Sequence, residues 1–268
     1  MRFWRKKGVV VPVVRLSGVI GAGGNLRPGL TLNAVAGPLE KAFKMKGPAV
    51  ALAINSPGGS PVQSSLIGTR IRALAVEHDK TVFAFVEDVA ASGGYWLACA
   101  ADEIIADASS VVGSIGVVSA SFGFTELIEK IGVERRVYTT GENKSILDPF
   151  KPEKDSDLAI LRGVQTDILD AFVTHVKSRR GAKLTDHPDM FTGRFWTGTS
   201  ALPLGLIDAV GDMRSTVRAR YGEKATLRLV PMQRGGFLRG RLGLETGLSA
   251  EALIGAIRSD RLWDRYGI

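Results

Sequence analysis

Two unbroken apolar runs, AVALAIN at residues 49–55 and TVFAFV at residues 81–86, constrain the fold of this chain more than any other feature. Runs of this length without polar alternation are typical of strands that are buried on both faces, and such strands occur mainly in parallel sheets covered by helices. A helical pattern occupies the segment between the two runs and ends near His78. We therefore predict an α/β fold with a largely parallel sheet.

The rest of the chain continues this alternation of strands and helices. Further strands are predicted at residues 9–16, 103–107, 114–120, 133–139 and 226–230, and further helices at residues 31–45, 95–101, 124–131, 152–180 and up to Tyr221. The helix over residues 152–180 has the clearest 3.6-residue period, with Pro152 in its first turn and Gly181 after its last. A turn is predicted at Glu87 and Asp88, which follow the second apolar run.

The net charge of +8 is concentrated near the two ends of the chain. Residues 1–7 carry four positive charges, and residues 212–241 carry eight against two acidic residues. A nucleic-acid enzyme would be expected to line its working cleft with cations, so no nucleic-acid partner is predicted. Basic ends suit a peripheral contact with a membrane surface, and a purely solubilising charge excess is the alternative.

Composition also predicts the domain boundaries and excludes some kinds of site. We expect a basic segment over residues 1–8, one domain over 9–232, and a basic linker with a tail helix over 233–268. Because Cys99 is the single cysteine, an intramolecular disulfide and a cysteine-based metal cluster are excluded. No metal and no cofactor is predicted.

A membrane-spanning segment is not expected from the sequence. No apolar run approaches the roughly 18–20 residues that a helix needs to cross a bilayer. The early run GVVVPVV is short, contains Pro12 and stops at Arg15, so a buried first strand is a better interpretation than a signal peptide. These observations predict a cytoplasmic protein, or one that lies peripherally at a membrane.

Two glycine-rich breaks follow the two apolar runs, NSPGG at residues 55–59 and ASGG at residues 91–94. Sites in open α/β sheets gather at the carboxyl ends of strands, and glycine lets the backbone approach a ligand closely. Two such loops could aim their N–H groups at one point, as an oxyanion hole requires. Phosphate binding is the competing use, but Pro57 removes a donor where a phosphate cradle needs one.

Ser92, in the second of these loops, is either a helix cap or a nucleophile. A nucleophile needs a base, and the three histidines, His78, His175 and His187, stand outside the glycine-rich loops, where surface or packing roles are expected. A lysine can replace histidine when burial favours its neutral form. Lys144, in YTTGENKSILDPF, is such a candidate, with an ordinary solvated lysine as the alternative.

Five motifs, in this order, resemble the bacterial signal peptide peptidase A family. They are INSPGGS at residues 54–60, ASGGYW at 91–96, VVGSIGV at 111–117, NKSILDPF at 143–150 and TGRFWTGTSALPLGLID at 192–208. The resemblance covers roughly residues 9–215 and is to the short, single-repeat members. It implies a Clp protease/crotonase-like fold of stacked ββα units and a serine–lysine peptidase.

Carried over by position, the resemblance implies Ser92 as nucleophile, Lys144 as general base and Ser114 as the residue that orients the lysine amine. The amides of Gly58 and Gly93 would form the oxyanion hole. The implied substrates are hydrophobic peptides such as signal peptide remnants, and the implied assembly is a homo-oligomer. Typical members of the family carry an N-terminal membrane anchor, which is not found in this sequence.

Two other functions are compatible with the sequence. The first is an acyl-CoA hydratase or isomerase on a crotonase-type fold, in which Glu87 or Asp88 would have to act as the acid or base. The second is a non-catalytic scaffold associated with a membrane through its basic ends. That reading leaves Ser92, Ser114 and Lys144 without a role.

Overall fold

The computed structural model describes residues 8–21, 29–232 and Tyr266. The strands in this part of the chain are β1 (Val10–Ser17), β2 (Ala49–Ser56), β3 (Thr81–Ala91), β4 (Glu103–Ala106), β5 (Val111–Gly113), β6 (Phe195–Thr197), β7 (Ala209–Val210) and β8 (Thr226–Leu229). The helices are α1 (Leu32–Lys44), α2 (Pro61–Glu77), α3 (Gly93–Cys99), α4 (Thr125–Lys130), α5 (Asp155–Arg180), α6 (Gly198–Ala201) and α7 (Met213–Tyr221).

The strands form one sheet in the order β6-β5-β3-β2-β1-β8, with β4 and β7 branching from β3. The long strand β3 pairs with β4 through its first half and with β5 through its last three residues. Only β5 and β6 run antiparallel among the strand pairs of the described residues. The predicted α/β class with a largely parallel sheet is confirmed.

The helices begin where the sequence supplies capping side chains. Thr31 Oγ1 accepts the Ala34 N–H at the start of α1, and Ser60 Oγ accepts the Gln63 N–H at the start of α2. Pro61 occupies the first position of α2, where its missing N–H costs nothing. Asp212 caps α7 in the same way, through the N–H groups of its first turn.

The chain divides into two compact units, the first built from residues up to Ile115 and from Val173 onward, the second from Gly116–Phe172. The first unit contains the sheet and an apolar core in which β2 and β3 are almost completely buried. The predicted boundaries at residues 8 and 232 remain a prediction, and the tail helix lies outside the described residues.

The second unit has little buried apolar surface of its own. Phe172 is its only buried residue. The rings of Phe122, Phe124 and Phe150 pack in series, with centroids 6.2 Å and 5.5 Å apart. The Arg135 guanidinium lies 4.9 Å from the centre of the Phe150 ring and is ion-paired with Asp148 at 2.9 Å.

Two of the predicted strands are wrong. The segment 114–120 is not a strand because the backbone turns into the left-handed region at Ser114, with φ of +51°, which ends β5. Residues 133–139 have β-branched and aromatic side chains, but six of the seven are exposed and none belongs to a strand. A strand needs a hydrogen-bonded neighbour, and residue preference alone does not supply one.

Two smaller expectations are also wrong. Pro152 precedes α5, which begins at Asp155, although the helix does end before Gly181 as expected. Glu87 and Asp88 belong to β3 rather than to a turn, because that strand continues past its apolar half to pair with β5.

Among the described residues, no helix combines the length and the apolar character that crossing a membrane requires.

Candidate active site

The two glycine-rich loops lie side by side in the first unit because the strands that precede them, β2 and β3, are neighbours in the sheet. The β2–β3 register shifts between Ile54 and Ser56, so that Ser56 pairs with Ala90 and the two strands end within one residue of each other. The Ser56 hydroxyl is fully buried and accepts the Gly58 N–H at 3.2 Å, which shapes the first loop. The predicted convergence of the loops is therefore present.

Three glycines allow the backbones of the two loops to touch. A Cβ on Gly58 would lie 2.8 Å from the Ser92 Cβ and 2.9 Å from the Gly93 nitrogen, and the φ of Gly58 is +103°. A Cβ on Gly93 would collide with Ser64 Oγ, and one on Gly94 would collide with the Ser56 carbonyl oxygen. A side chain at Gly58 or Gly94 would force the loops apart, and one at Gly93 would push against α2, to which Ser64 belongs.

Gly94→Ala is expected to lower the free energy of unfolding by about 2–4 kcal/mol, because the new Cβ has no space beside the backbone of Ser56. Gly163→Ala in α5 is the matched control. No described heavy atom lies within 4 Å of its Cβ position, so this change should stabilise the protein by about 0.5–1 kcal/mol. Urea unfolding of the two variants measures both effects. Equal stabilities would contradict the packing of the loops.

Ser92 is held in a strained backbone conformation at the start of α3. Its φ is +52° and its ψ is −122°, values that a residue with a side chain rarely adopts. The Ser92 N–H donates to the Gly113 carbonyl at 2.8 Å, and the Ser92 carbonyl accepts the Trp96 N–H. Its side chain makes no capping hydrogen bond, so the hydroxyl is not used to begin the helix. Strain of this kind is concentrated at functional sites.

Ser114 is positioned beside Ser92 by the adjacent strands. Its φ of +51° is also left-handed, it is only 2% exposed, and its N–H donates to the Arg194 carbonyl at 2.8 Å. The carbonyl of the preceding residue, Gly113, accepts the Ser92 N–H. The end of β5 therefore holds the backbone of Ser92 and leads directly into Ser114. The Ser114 hydroxyl accepts a hydrogen bond from Tyr266 Oη at 3.1 Å.

The motif at residues 192–208 supports this strand end. A Cβ on Gly113 would lie 2.8 Å from the Trp196 ring, so the indole packs directly against the backbone of Gly113, the residue that accepts the Ser92 N–H and precedes Ser114. Trp196 belongs to β6, which pairs with β5, and the Arg194 guanidinium lies 5.9 Å from the centre of its ring. These contacts give the motif a structural function.

All seven residues of α3 are buried, and its C-terminal end is capped by arginines. Arg179 donates to the Cys99 carbonyl at 2.9 Å and to the Ala101 carbonyl at 2.9 Å, and Arg72 donates to the Ala100 carbonyl at 3.2 Å. Cations at this end of a helix are favourable because its last carbonyls lack partners. The helix that begins after Ser92 is therefore held at both ends.

The histidines and the cysteine are not placed as catalytic groups. His175 stacks on Trp96 with centroids 4.8 Å apart, and its pKa is lowered chiefly by burial. His78 follows the last residue of α2 and stacks on Phe43, and His187 meets the Trp196 ring edge-on, which agrees with the surface or packing roles expected for the histidines. Burial raises the pKa of the Cys99 thiol to about 12, which makes it a poor nucleophile.

The carboxylates considered for a crotonase-type reaction are engaged in other contacts. Glu87 pairs with Arg15 at 2.9 Å, and the Asp88 carboxylate accepts the Asn55 amide at 2.6 Å. Asn55 in turn accepts the Val89 N–H, which ties the end of β2 to β3. These contacts give both acidic residues structural roles.

Lys144 lies in the second unit, in a short 3-10 helix over Glu142–Ser145, and its side chain is exposed. After this turn, Leu147 adopts a φ of +56°, and its N–H donates to the Asp157 carboxylate at 3.1 Å. Of the predicted site residues, four belong to the first unit (Gly58, Ser92, Gly93 and Ser114), and Lys144 belongs to the second. No group of residues suited to hold a metal is present in the described parts of the chain.

The strain at the two serines and the contact from Tyr266 were missed from the sequence. A glycine directly precedes Ser114 and directly follows Ser92, which is the available local signal for unusual backbone angles. Tyr266 carries no comparable signal, since it lies 152 residues from Ser114.

The chain matches peptidase family S49 over residues 75–227. It is 57% identical to a protein of Brucella abortus (strain 2308) called Na(+)/H(+) antiporter NhaA, with the alignment covering 100% of this chain and 38% of that protein. A putative protease of Synechocystis sp. is 32% identical, with 74% of this chain and 68% of that protein covered.

Further comparisons also name proteases. A chloroplastic serine protease of Arabidopsis thaliana called SPPA is 35% identical over 63% of this chain and 25% of its own length. A solved mutant of a membrane-bound stomatin-specific protease has a TM-score of 0.48 and 15% identity, covering 85% of this chain and 99% of that one. The chain thus spans 38% of the length of the Brucella relative and 25% of the Arabidopsis relative.

Proposed function

Because the chain belongs to peptidase family S49, matched over more than half of its length, we propose that it is a serine endopeptidase with a Ser-Lys dyad. The observation that carries the proposal is the strained Ser92, whose hydroxyl makes no capping bond and which lies against the backbone of Gly58. The family's Clp protease/crotonase-like fold agrees with the largely parallel sheet.

The proposed reaction begins at the Ser92 hydroxyl. Neutral Lys144 takes the hydroxyl proton while Ser92 Oγ attacks the carbonyl carbon of a peptide bond. The amine of the leaving peptide takes a proton from the lysine, and an acyl-enzyme ester remains on Ser92. Water activated by the same lysine then hydrolyses the ester and restores the serine. Ser114 orients the lysine amine in both steps.

The amides of Gly58 and Gly93 are proposed to stabilise the negative oxygen of the tetrahedral intermediates. The Gly93 N–H lies in the first turn of α3, where amides have no acceptor within the helix and the helix dipole favours a negative charge. The Gly58 N–H donates to Ser56 Oγ at 3.2 Å, a long bond that a charged oxygen could replace.

The proposed substrates are hydrophobic peptides such as signal peptide remnants, and the proposed partner is a second copy of the chain in a homo-oligomer. Exposed apolar side chains of the second unit support an oligomer, since they remain in contact with water in a single chain. They include Val118, Phe122, Leu127, Ile131 and Tyr138. A cytoplasmic location, or a peripheral one at a membrane, remains part of the proposal.

Covalent labelling with a fluorophosphonate tests the proposal directly, because such reagents react with activated serines. Complete trypsin digestion would place Ser92 in the peptide from Thr81 to Lys130, so fragmentation of the peptide must locate the label among its other serines, which are Ser109, Ser110, Ser114, Ser119 and Ser121. We expect one label per chain, on Ser92, and none on heat-unfolded protein. A label on another serine, or no label, would overturn the proposal.

A further inference from the structure

The Tyr266 side chain contacts the candidate site from a distant part of the sequence. Its hydroxyl lies 3.1 Å from Ser114 Oγ, and its ring meets the Phe195 ring edge-on, with centroids 5.3 Å apart. Tyr266 is partly buried, and Ser114 is only 2% exposed. A phenol is therefore placed on the hydroxyl that the proposed reaction uses to orient its base.

One short segment anchors Ser114 both directly and through Tyr266. The Arg194 carbonyl accepts the Ser114 N–H at 2.8 Å and so holds the strained backbone. The next residue, Phe195, supports the ring whose hydroxyl bonds Ser114 Oγ. The backbone of Ser114 is thus fixed by the residue that precedes β6, while its hydroxyl is fixed by a side chain that packs on the first residue of β6.

A serine hydroxyl rotates freely unless a partner fixes it, and its oxygen has two lone pairs and one proton. When Tyr266 donates to one lone pair, the second stays available for an N–H of a lysine amine. Without that bond, the Ser114 hydroxyl could rotate toward other partners, and the lysine amine would lose the hydrogen bond that orients it. The contact with Tyr266 therefore restricts the Ser114 hydroxyl to orientations in which it can accept an N–H of the lysine amine.

We propose that Tyr266 is a positioning residue that fixes the Ser114 hydroxyl for its contact with the general base. This inference rests on the proposed function and adds to it a residue outside the five motifs. In the proposed role, Tyr266 acts through Ser114 rather than on the substrate. Its hydroxyl should therefore matter for turnover and not for substrate binding.

Tyr266→Phe is the sharpest test, because it removes the hydroxyl and keeps the ring on Phe195. We expect kcat for an apolar reporter peptide to fall about 3–10-fold, the usual consequence of losing one hydrogen bond, with KM changed less than about twofold. Tyr221→Phe is the matched control, since Tyr221 also packs edge-on to a phenylalanine, Phe83, but lies on α7. The control should keep the wild-type kcat.

A double-mutant cycle with Ser114→Ala separates positioning from a general structural effect. If Tyr266 acts through Ser114, adding Tyr266→Phe to Ser114→Ala should change kcat by less than about twofold. An equal loss in both backgrounds, an unchanged kcat in Tyr266→Phe, or an increase in kcat, as expected of a blocking side chain, would each overturn the inference.

Fluorophosphonate labelling of the wild-type chain separates this inference from the proposed function. If wild-type Ser92 is labelled and Tyr266→Phe behaves as wild type in turnover, the positioning inference fails and the proposed function stands. If wild-type Ser92 is not labelled, the proposed function fails, and the inference fails with it. The unfolding midpoint of Tyr266→Phe, expected within about 2 °C of wild type, excludes a folding defect as the cause of lost turnover.

Discussion

Ser92→Ala is expected to lower hydrolysis of an apolar reporter peptide by about four orders of magnitude or more, since the nucleophile of the proposed reaction is removed. The fold should be unaffected. The Ser92 hydroxyl makes no capping hydrogen bond, and alanine occupies the same backbone with the same strain. We therefore expect the free energy of unfolding to stay within about 0.5 kcal/mol of the wild-type value.

Ser109→Ala provides the matched control for this change. Ser109 is an exposed serine in the loop between β4 and β5 of the same unit, and its replacement should alter neither turnover nor stability. Turnover is measured by release of product from the peptide, and stability by urea unfolding. Residual activity of Ser92→Ala above about one hundredth of the wild-type rate would show that another group is the nucleophile.

Lys144→Met is expected to reduce turnover by about three orders of magnitude or more, because methionine keeps most of the side-chain volume but cannot accept a proton. Stability should change little, since Lys144 is exposed in a short 3-10 helix. Turnover is measured by release of product from the same reporter peptide.

Lys151→Met is the control for the lysine, as it removes an equal charge from an exposed position of the same unit. It should retain wild-type turnover. Parallel assays of the two variants decide the outcome. Unchanged turnover in Lys144→Met would contradict the Ser-Lys dyad, while the fluorophosphonate label on Ser92 would still identify the nucleophile.

The sequence was sufficient to predict the central sheet and the loops of the candidate site. β2 and the first half of β3 are continuous apolar runs, and such runs require burial on both faces wherever the chain folds. The glycines that follow them are explained by contact between the two loop backbones, which leaves no room for a side chain. Burial of the runs follows from their own composition, and the glycines mark the loop contact in the sequence even though that contact joins segments far apart in the chain.

The sequence was insufficient where a residue depends on a distant partner. The segment 133–139 has the composition of a strand, yet no described strand pairs with it. Glu87 and Asp88 were predicted to form a turn, but β5 extends the ladder of β3 beyond them. Pairing of strands joins residues far apart in the chain, and residue preferences are too weak to predict it.

The amino-acid sequence by itself pointed to a serine among glycines, and its resemblance to the signal peptide peptidase A family implied the second serine and the lysine of the proposed chemistry. Only the tertiary structure decided how the first two are held. Both serines adopt left-handed backbone angles that the end of β5 and the Arg194 carbonyl maintain, and Tyr266 reaches Ser114 from 152 residues away. Such strain persists only when surrounding contacts over-determine it, and those contacts exist only after the sheet has assembled.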